Sequence, residues 1–205
     1  MKYLYEFIGA FFLVFTVGMT VMNPTISSFA PIAIATILSI MVYAGGHISG
    51  GHYNPAVSLS VFMQKKITAL DLGFYCIAQI LGGIIAAFTV IYFKGGASTT
   101  AANLTTNAIL AEFLFTFLLC FVVLNVAVAK KTAGNSYFGF AIGFVLLVGA
   151  YTVGSISTAA FNPAVVLGEA LMNLISWKDT WMLLLGNIAG AVAAALLFNA
   201  AHPKN

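Results

Sequence analysis

The stretch Gly46-His47-Ile48-Ser49-Gly50-Gly51-His52-Tyr53-Asn54-Pro55-Ala56-Val57 decides the reading of this chain, because its last four residues return 108 positions later as Asn162-Pro163-Ala164-Val165. Each copy opens a short apolar run, Asn54–Met63 and Asn162–Met172. At 1.5 Å per residue such a run covers about half of a ~30 Å hydrocarbon core. Asparagine is a good helix N-cap, and proline at the first helical position gives up no hydrogen bond. The preceding segments, Gly45–Tyr53 and Gly154–Phe161, are rich in glycine and serine and suit a non-helical descent into the membrane. The expectation is two half-length helices whose N-termini lie near mid-bilayer. A single Asn-Pro usually marks a turn, as at Asn23-Pro24; two Asn-Pro-Ala motifs at matched positions are far harder to obtain by chance.

Around these motifs the chain is almost wholly apolar. Its 205 residues are 61% hydrophobic and 6% charged, and the mean hydropathy is +1.04. Soluble domains are about a quarter charged. Six long apolar segments, Tyr3–Met22, Pro31–Gly46, Leu70–Phe93, Asn107–Ala129, Tyr137–Gly154 and Thr180–Ala200, nearly fill the length at about 20 residues per crossing. No room remains for a catalytic domain outside the membrane. The repeat extends beyond the motifs: Gln79-Ile80-Leu81-Gly82 pairs with Asn187-Ile188-Ala189-Gly190, and Glu6-Phe7 with Glu112-Phe113. One channel domain over residues 1–205 follows, with repeats at 1–95 and 105–205. Three crossings per half is odd, so the halves insert in opposite senses.

The lysines give an independent test of topology. With both termini cytoplasmic, Lys2, Lys65, Lys66, Lys130, Lys131 and Lys204 fall inside, and Lys94 and Lys178 outside. This is the positive-inside bias. The first apolar run contains Glu6 and lacks a small-residue cleavage pattern, so it reads as a retained span rather than a signal peptide. Scattered lysines with a net charge of +3 do not suit nucleic acid. Cys76 and Cys120 lie in apolar segments, which argues against a disulfide framework, and three histidines without ligand spacing make no metal site. No cofactor is expected. Asn103-Leu104-Thr105 has the form of a glycosylation sequon, of consequence only in a eukaryotic secretory pathway.

The stretch 46–57, its second copy, Glu6-Phe7-Ile8-Gly9 and Ala78-Gln79-Ile80-Leu81-Gly82-Gly83 together resemble the aquaporin, or major intrinsic protein, family over essentially the whole chain. The resemblance implies an all-α membrane protein with an inverted repeat: six transmembrane helices plus two re-entrant half-helices. It also implies a pore in every protomer and a homotetramer in membrane lipid. The pore motifs would be Asn54, Pro55, Ala56 and Asn162, Pro163, Ala164. Head-to-head N-termini, each with about half a positive charge, would repel cations and suit water and small neutral solutes. Glu6 and Glu112 would support the re-entrant loops. Gly139-x-x-x-Gly143 and Gly186-x-x-x-Gly190 fit close helix packing.

The departures concern selectivity. Most family members carry arginine after the second Asn-Pro-Ala; here the residue is Val165, and the chain has no arginine. Counting back from the motifs places the other constriction positions at Ile34, Ala150 and Ala159. The aspartate usual in glycerol facilitators is replaced by Val166. A wide, apolar filter passing water and small uncharged solutes is expected. The alternatives are a glycerol, polyol or ammonia facilitator with little water selectivity, or an ion-coupled small-solute transporter. Glu169, one turn beyond Val165, supplies an outer charge or pairs with Lys178; His47 and His52 are scaffold or, less favoured, a gate. The ionisable groups within the spans are too few and dispersed for an enzyme site. Short termini point to a prokaryotic inner membrane.

Overall fold

The computed structural model describes residues 1–203; Lys204, counted above with the inner cations, lies outside the described residues. Eight helices follow in order: α1 (Lys2–Val21), α2 (Ala30–Ser49), α3 (Pro55–Met63), α4 (Ala69–Lys94), α5 (Asn107–Val123), α6 (Phe138–Ser157), α7 (Pro163–Leu171) and α8 (Thr180–Ala201). With short helical extensions at Ser27–Phe29, Leu124–Val128 and Trp177–Asp179, six of these helices are long and apolar enough to cross a membrane. The nine-residue helices α3 and α7 are not.

α1 packs on α4 and α5 on α8, the equivalent pairs of the two repeats. Lipid is as apolar as leucine, so such pairs depend on close backbone approach and hydrogen bonds. A Cβ on Gly82 would collide with the Phe7 carbonyl, and one on Gly190 would lie 2.6 Å from the Phe113 carbonyl oxygen. Gly139 and Gly143 take the Tyr43 ring and Ser39 of α2. Both small-residue stripes therefore pack within the chain. Outward faces are apolar, with Leu81, Ile85, Phe88, Phe144, Val148 and Leu185 all about half exposed.

The start of α1 and the end of α8 lie on one face, the terminal face. Lys2 and Tyr3 of α1 bind Asp71 at the start of α4, each at 2.7 Å. Gln64, just past α3, donates to the Ala195 carbonyl near the end of α8.

One expectation needs correction. The segments from Gly45 and Gly154 are not unwound at their starts; α2 and α6 run on to Ser49 and Ser157. Gly45 and Gly154 both lie within helix, and at Gly45 the missing side chain makes room for a neighbour. Gly45 lies directly under the Tyr53 hydroxyl, where a Cβ would not fit. Only about five residues of each loop are non-helical.

Candidate functional site

Each re-entrant loop turns on residues in the left-handed backbone region. Tyr53 has φ 51° and Phe161 φ 48°. Such a conformation costs a bulky residue about 1–3 kcal/mol unless its surroundings hold it. A buried carboxylate supplies the hold. Glu6 accepts from the backbone N–H of His52 (3.0 Å) and Tyr53 (2.6 Å), the Ser49 hydroxyl (2.6 Å) and the Gln79 amide (2.8 Å). Glu112 repeats the pattern with Ala160 N–H (3.1 Å), Phe161 N–H (2.7 Å), Ser157 (2.7 Å) and Asn187 (2.6 Å). Both carboxylates are fully buried, and backbone donors at that depth have no water to turn to. The two serines and the tight backbone at Tyr53 and Phe161 were not singled out from sequence. The repeat offset of 108, applied from Gln79 to Asn187, carries Ser49 to Ser157 and Tyr53 to Phe161.

Asn54 and Asn162 then cap the half-helices. The Asn54 Oδ1 accepts from Ala56 N–H at 2.8 Å and Val57 N–H at 3.4 Å; the Asn162 Oδ1 accepts from Ala164 N–H at 2.9 Å. Their amides reach across to the opposite repeat. Asn54 Nδ2 donates to the Phe161 carbonyl at 2.8 Å, and Asn162 Nδ2 to the Tyr53 carbonyl at 2.9 Å. Each amide has a second N–H that these bonds leave free for a molecule alongside.

Four cavities lie about this point, each sharing wall residues with the next. On the face opposite the termini lies a vestibule of about 370 Å³ whose walls include Ile34, Thr100, Ala150, Thr158 and Glu169. It shares Ile34, Ala150, Thr158 and Glu169 with a constriction cavity of about 30 Å³, also lined by Ala159 and Val165. All four expected constriction residues thus meet at one place. The constriction shares Leu13, Leu146 and Ala160 with a central cavity of about 20 Å³ that touches both Asn54 and Asn162. Leu38, Leu119, Val123 and Ile142 form its apolar side. His52 and Val123 lead on to a vestibule of about 320 Å³ on the terminal face, where Lys66 lines the wall. A water needs roughly 10–15 Å³, so the centre admits molecules one at a time.

The fold of this passage is that of a solved channel. The X-ray structure of the aquaglyceroporin from Plasmodium falciparum superposes with a TM-score of 0.78, covering 98% of this chain and 96% of that one at 21% identity. The sequence itself matches the major intrinsic protein family over residues 1–198. The chain belongs to the major intrinsic protein family. Nodulin-26 of Glycine max is 34% identical over 97% of this chain and 76% of its own length. Aquaporin NIP1-1 of Oryza sativa subsp. japonica is 34% identical over 97% and 73% respectively. Both relatives are plant proteins and lend no support to the expected prokaryotic inner membrane. As a member of the major intrinsic protein family the chain is a passive membrane channel for water and small solutes, not an enzyme.

The remaining candidates fall in different places. His52 is buried, with Nδ1 3.0 Å from the Ser58 hydroxyl and its ring against Tyr75. His47 is exposed near the end of α2 and lines none of the four cavities. Glu169 is 3% exposed; its partner is the Thr158 hydroxyl at 2.8 Å rather than Lys178, with which no ion pair forms among the described residues. Among the described residues no cluster of three or more His, Cys, Asp or Glu could hold a metal, and both cysteines are free.

Proposed function

We propose that water and small uncharged solutes cross through the four linked cavities, with selection at Ile34, Ala150, Ala159 and Val165 and orientation at Asn54 and Asn162. The observation that carries this reading is the shared walls of consecutive cavities past both asparagines. At the centre a molecule has amide N–H donors on one side and leucine, isoleucine and valine on the other. A water there gives its oxygen to the asparagines and cannot keep a second water abreast of it. Two half-helix N-termini add roughly half a positive charge each, so a cation loses hydration and meets repulsion together.

The constriction has no fixed cation and no aromatic side chain among its four residues. An apolar ring of this kind favours solutes with C–H surface over a strict water filter, so a polyol or ammonia facilitator is the second reading. An ion-coupled transporter would show saturating, gradient-dependent flux instead. By the positive-inside bias the terminal face, with Lys2, Lys65, Lys66, Lys130 and Lys131, is cytoplasmic, and Lys94 and Lys178 are outside. We further propose a homotetramer of single-domain protomers, repeats 1–95 and 105–205. Stopped-flow shrinkage of proteoliposomes with water, glycerol and ammonia arms tests the reading. Flux above empty vesicles that rises linearly with the gradient supports it; flux equal to empty vesicles refutes it.

A further inference from the structure

Glu169 borders both the opposite-face vestibule and the constriction cavity, yet it supports the fold far less than the other two buried glutamates. Glu6 and Glu112 each take four hydrogen bonds, two from loop backbone. Among the described residues Glu169 takes one, from a side chain. Apart from Thr158, its neighbours on the constriction cavity are apolar, Leu13, Val17, Ile34, Leu146, Ala150 and Val165 among them. A carboxyl set there without a cation is costly, and an ionisable group at membrane depth that scaffolding does not explain marks a functional site.

The repeat sharpens the point. At the offset of 108, Glu169 and Thr158 correspond to Val61 and Gly50. The polar pair therefore exists at one mouth and is apolar at the other. Thr158 moreover holds φ 69° where its counterpart is glycine, so a strained residue carries the hydroxyl that meets the carboxyl.

We propose that Glu169 is the specificity-determining group of the constriction: a hydrogen-bond acceptor for neutral solutes rich in O–H and N–H donors, polyols and ureas, with Thr158 as its positioning residue. The Thr158 hydroxyl lies 2.8 Å from Oε2 and shares its one proton between that oxygen and the Ser157 carbonyl, which leaves Oε1 to accept from the solute. The solute's carbon skeleton then lies against Ile34, Ala150 and Val165, so one face of it is bonded and the other is in apolar contact. An arginine in the Val165 position would offer donors; here the constriction offers an acceptor, which favours donor-bearing solutes and disfavours anions. This inference rests on the channel reading above.

The test is stopped-flow permeability of proteoliposomes to glycerol and urea, each as a ratio to water, for wild type, Glu169→Leu, Glu169→Gln, Thr158→Val and a plugging variant, Val165→Trp. Glu169→Leu should lower both ratios by about fivefold, the worth of one ordinary hydrogen bond. Glu169→Gln, which keeps a carbonyl acceptor, and Thr158→Val should fall between. Ratios in Glu169→Leu and Glu169→Gln equal to wild type, with Val165→Trp blocking flux, would overturn the role of Glu169 and leave the channel reading standing. Water flux undiminished in Val165→Trp would instead overturn the constriction itself.

Discussion

Asn162 donates its amide to the carbonyl oxygen of Tyr53 at 2.9 Å, and so the cap of one half-helix closes the loop of the other. The reciprocal bond from Asn54 to Phe161 makes the two tips a single hydrogen-bonded unit. Neither asparagine can move without unpairing a buried carbonyl in the opposite repeat.

Replacing Asn162 with alanine removes a cap and that cross-bond together. A lost cap costs about 1 kcal/mol and a buried carbonyl without a partner about 1–3, so a loss of roughly 2–4 kcal/mol is expected. A lowered unfolding midpoint of the purified protein, with reduced water flux, checks it. Asn162→Asp keeps a capping oxygen but sets a negative charge at the positive helix end. Its proteoliposomes should leak potassium where wild type does not.

Glu112→Gln turns an acceptor of four hydrogen bonds into a group with one acceptor oxygen and an amide aimed at donors. At least one of the Ala160 and Phe161 N–H groups then loses its partner, at about 1–3 kcal/mol. The left-handed turn at Phe161 should relax, and thermal stability and permeability should fall together. A variant with lowered stability and unchanged permeability would show that Glu112 does not set the lumen.

Gly190→Ala and Gly73→Ala change the same residue type in helices α8 and α4 with opposite expectations. A Cβ at Gly190 meets the Phe113 carbonyl and Phe117 amide at 2.6 and 2.7 Å, whereas at Gly73 nothing lies within 4 Å. Gly190→Ala should prise α8 from α5 and lower the unfolding midpoint. Gly73→Ala should raise it slightly, by up to about 1 kcal/mol of helix propensity.

Val165→Arg fills the constriction and places a guanidinium one helical turn from Glu169. Glycerol flux should drop more than water flux, narrowing the solute range. Equal glycerol permeability in wild type and variant would mean that selection occurs elsewhere along the passage.

How far the sequence alone could carry this picture depended on what each residue's role requires. The doubled Asn-Pro-Ala located the half-helices to within a residue, since capping and proline placement are local effects. Counting from the motifs picked out Ile34, Ala150, Ala159 and Val165, four residues that line one cavity. The helices α2 and α6 run past the glycines expected to unwind them; in sequence a glycine such as Gly45, which makes room for the Tyr53 hydroxyl, looks the same as one that breaks a helix. The partner of Glu169 could not be read either. Thr158 reaches it only through the loop's left-handed turn, and that geometry is enforced by the distant Glu112. The lumen's apolar wall, Leu13, Leu38, Leu119, Val123, Ile142 and Leu146, was invisible for a different reason. In a membrane helix apolar residues face lipid and lumen alike, so periodicity carries no contrast.

The route itself is tested most directly by placing a reactive thiol in it. In a background with Cys76 and Cys120 changed to serine, Ala160→Cys puts a thiol on the wall shared by the constriction and central cavities, and Leu185→Cys puts one on the lipid face. Water flux is then measured in proteoliposomes before and after a thiol-reactive mercurial. Block of Ala160→Cys, reversed by a reducing agent, with Leu185→Cys unaffected, is the predicted result. Full labelling of Ala160→Cys with flux unchanged would mean that water does not pass between the half-helix tips.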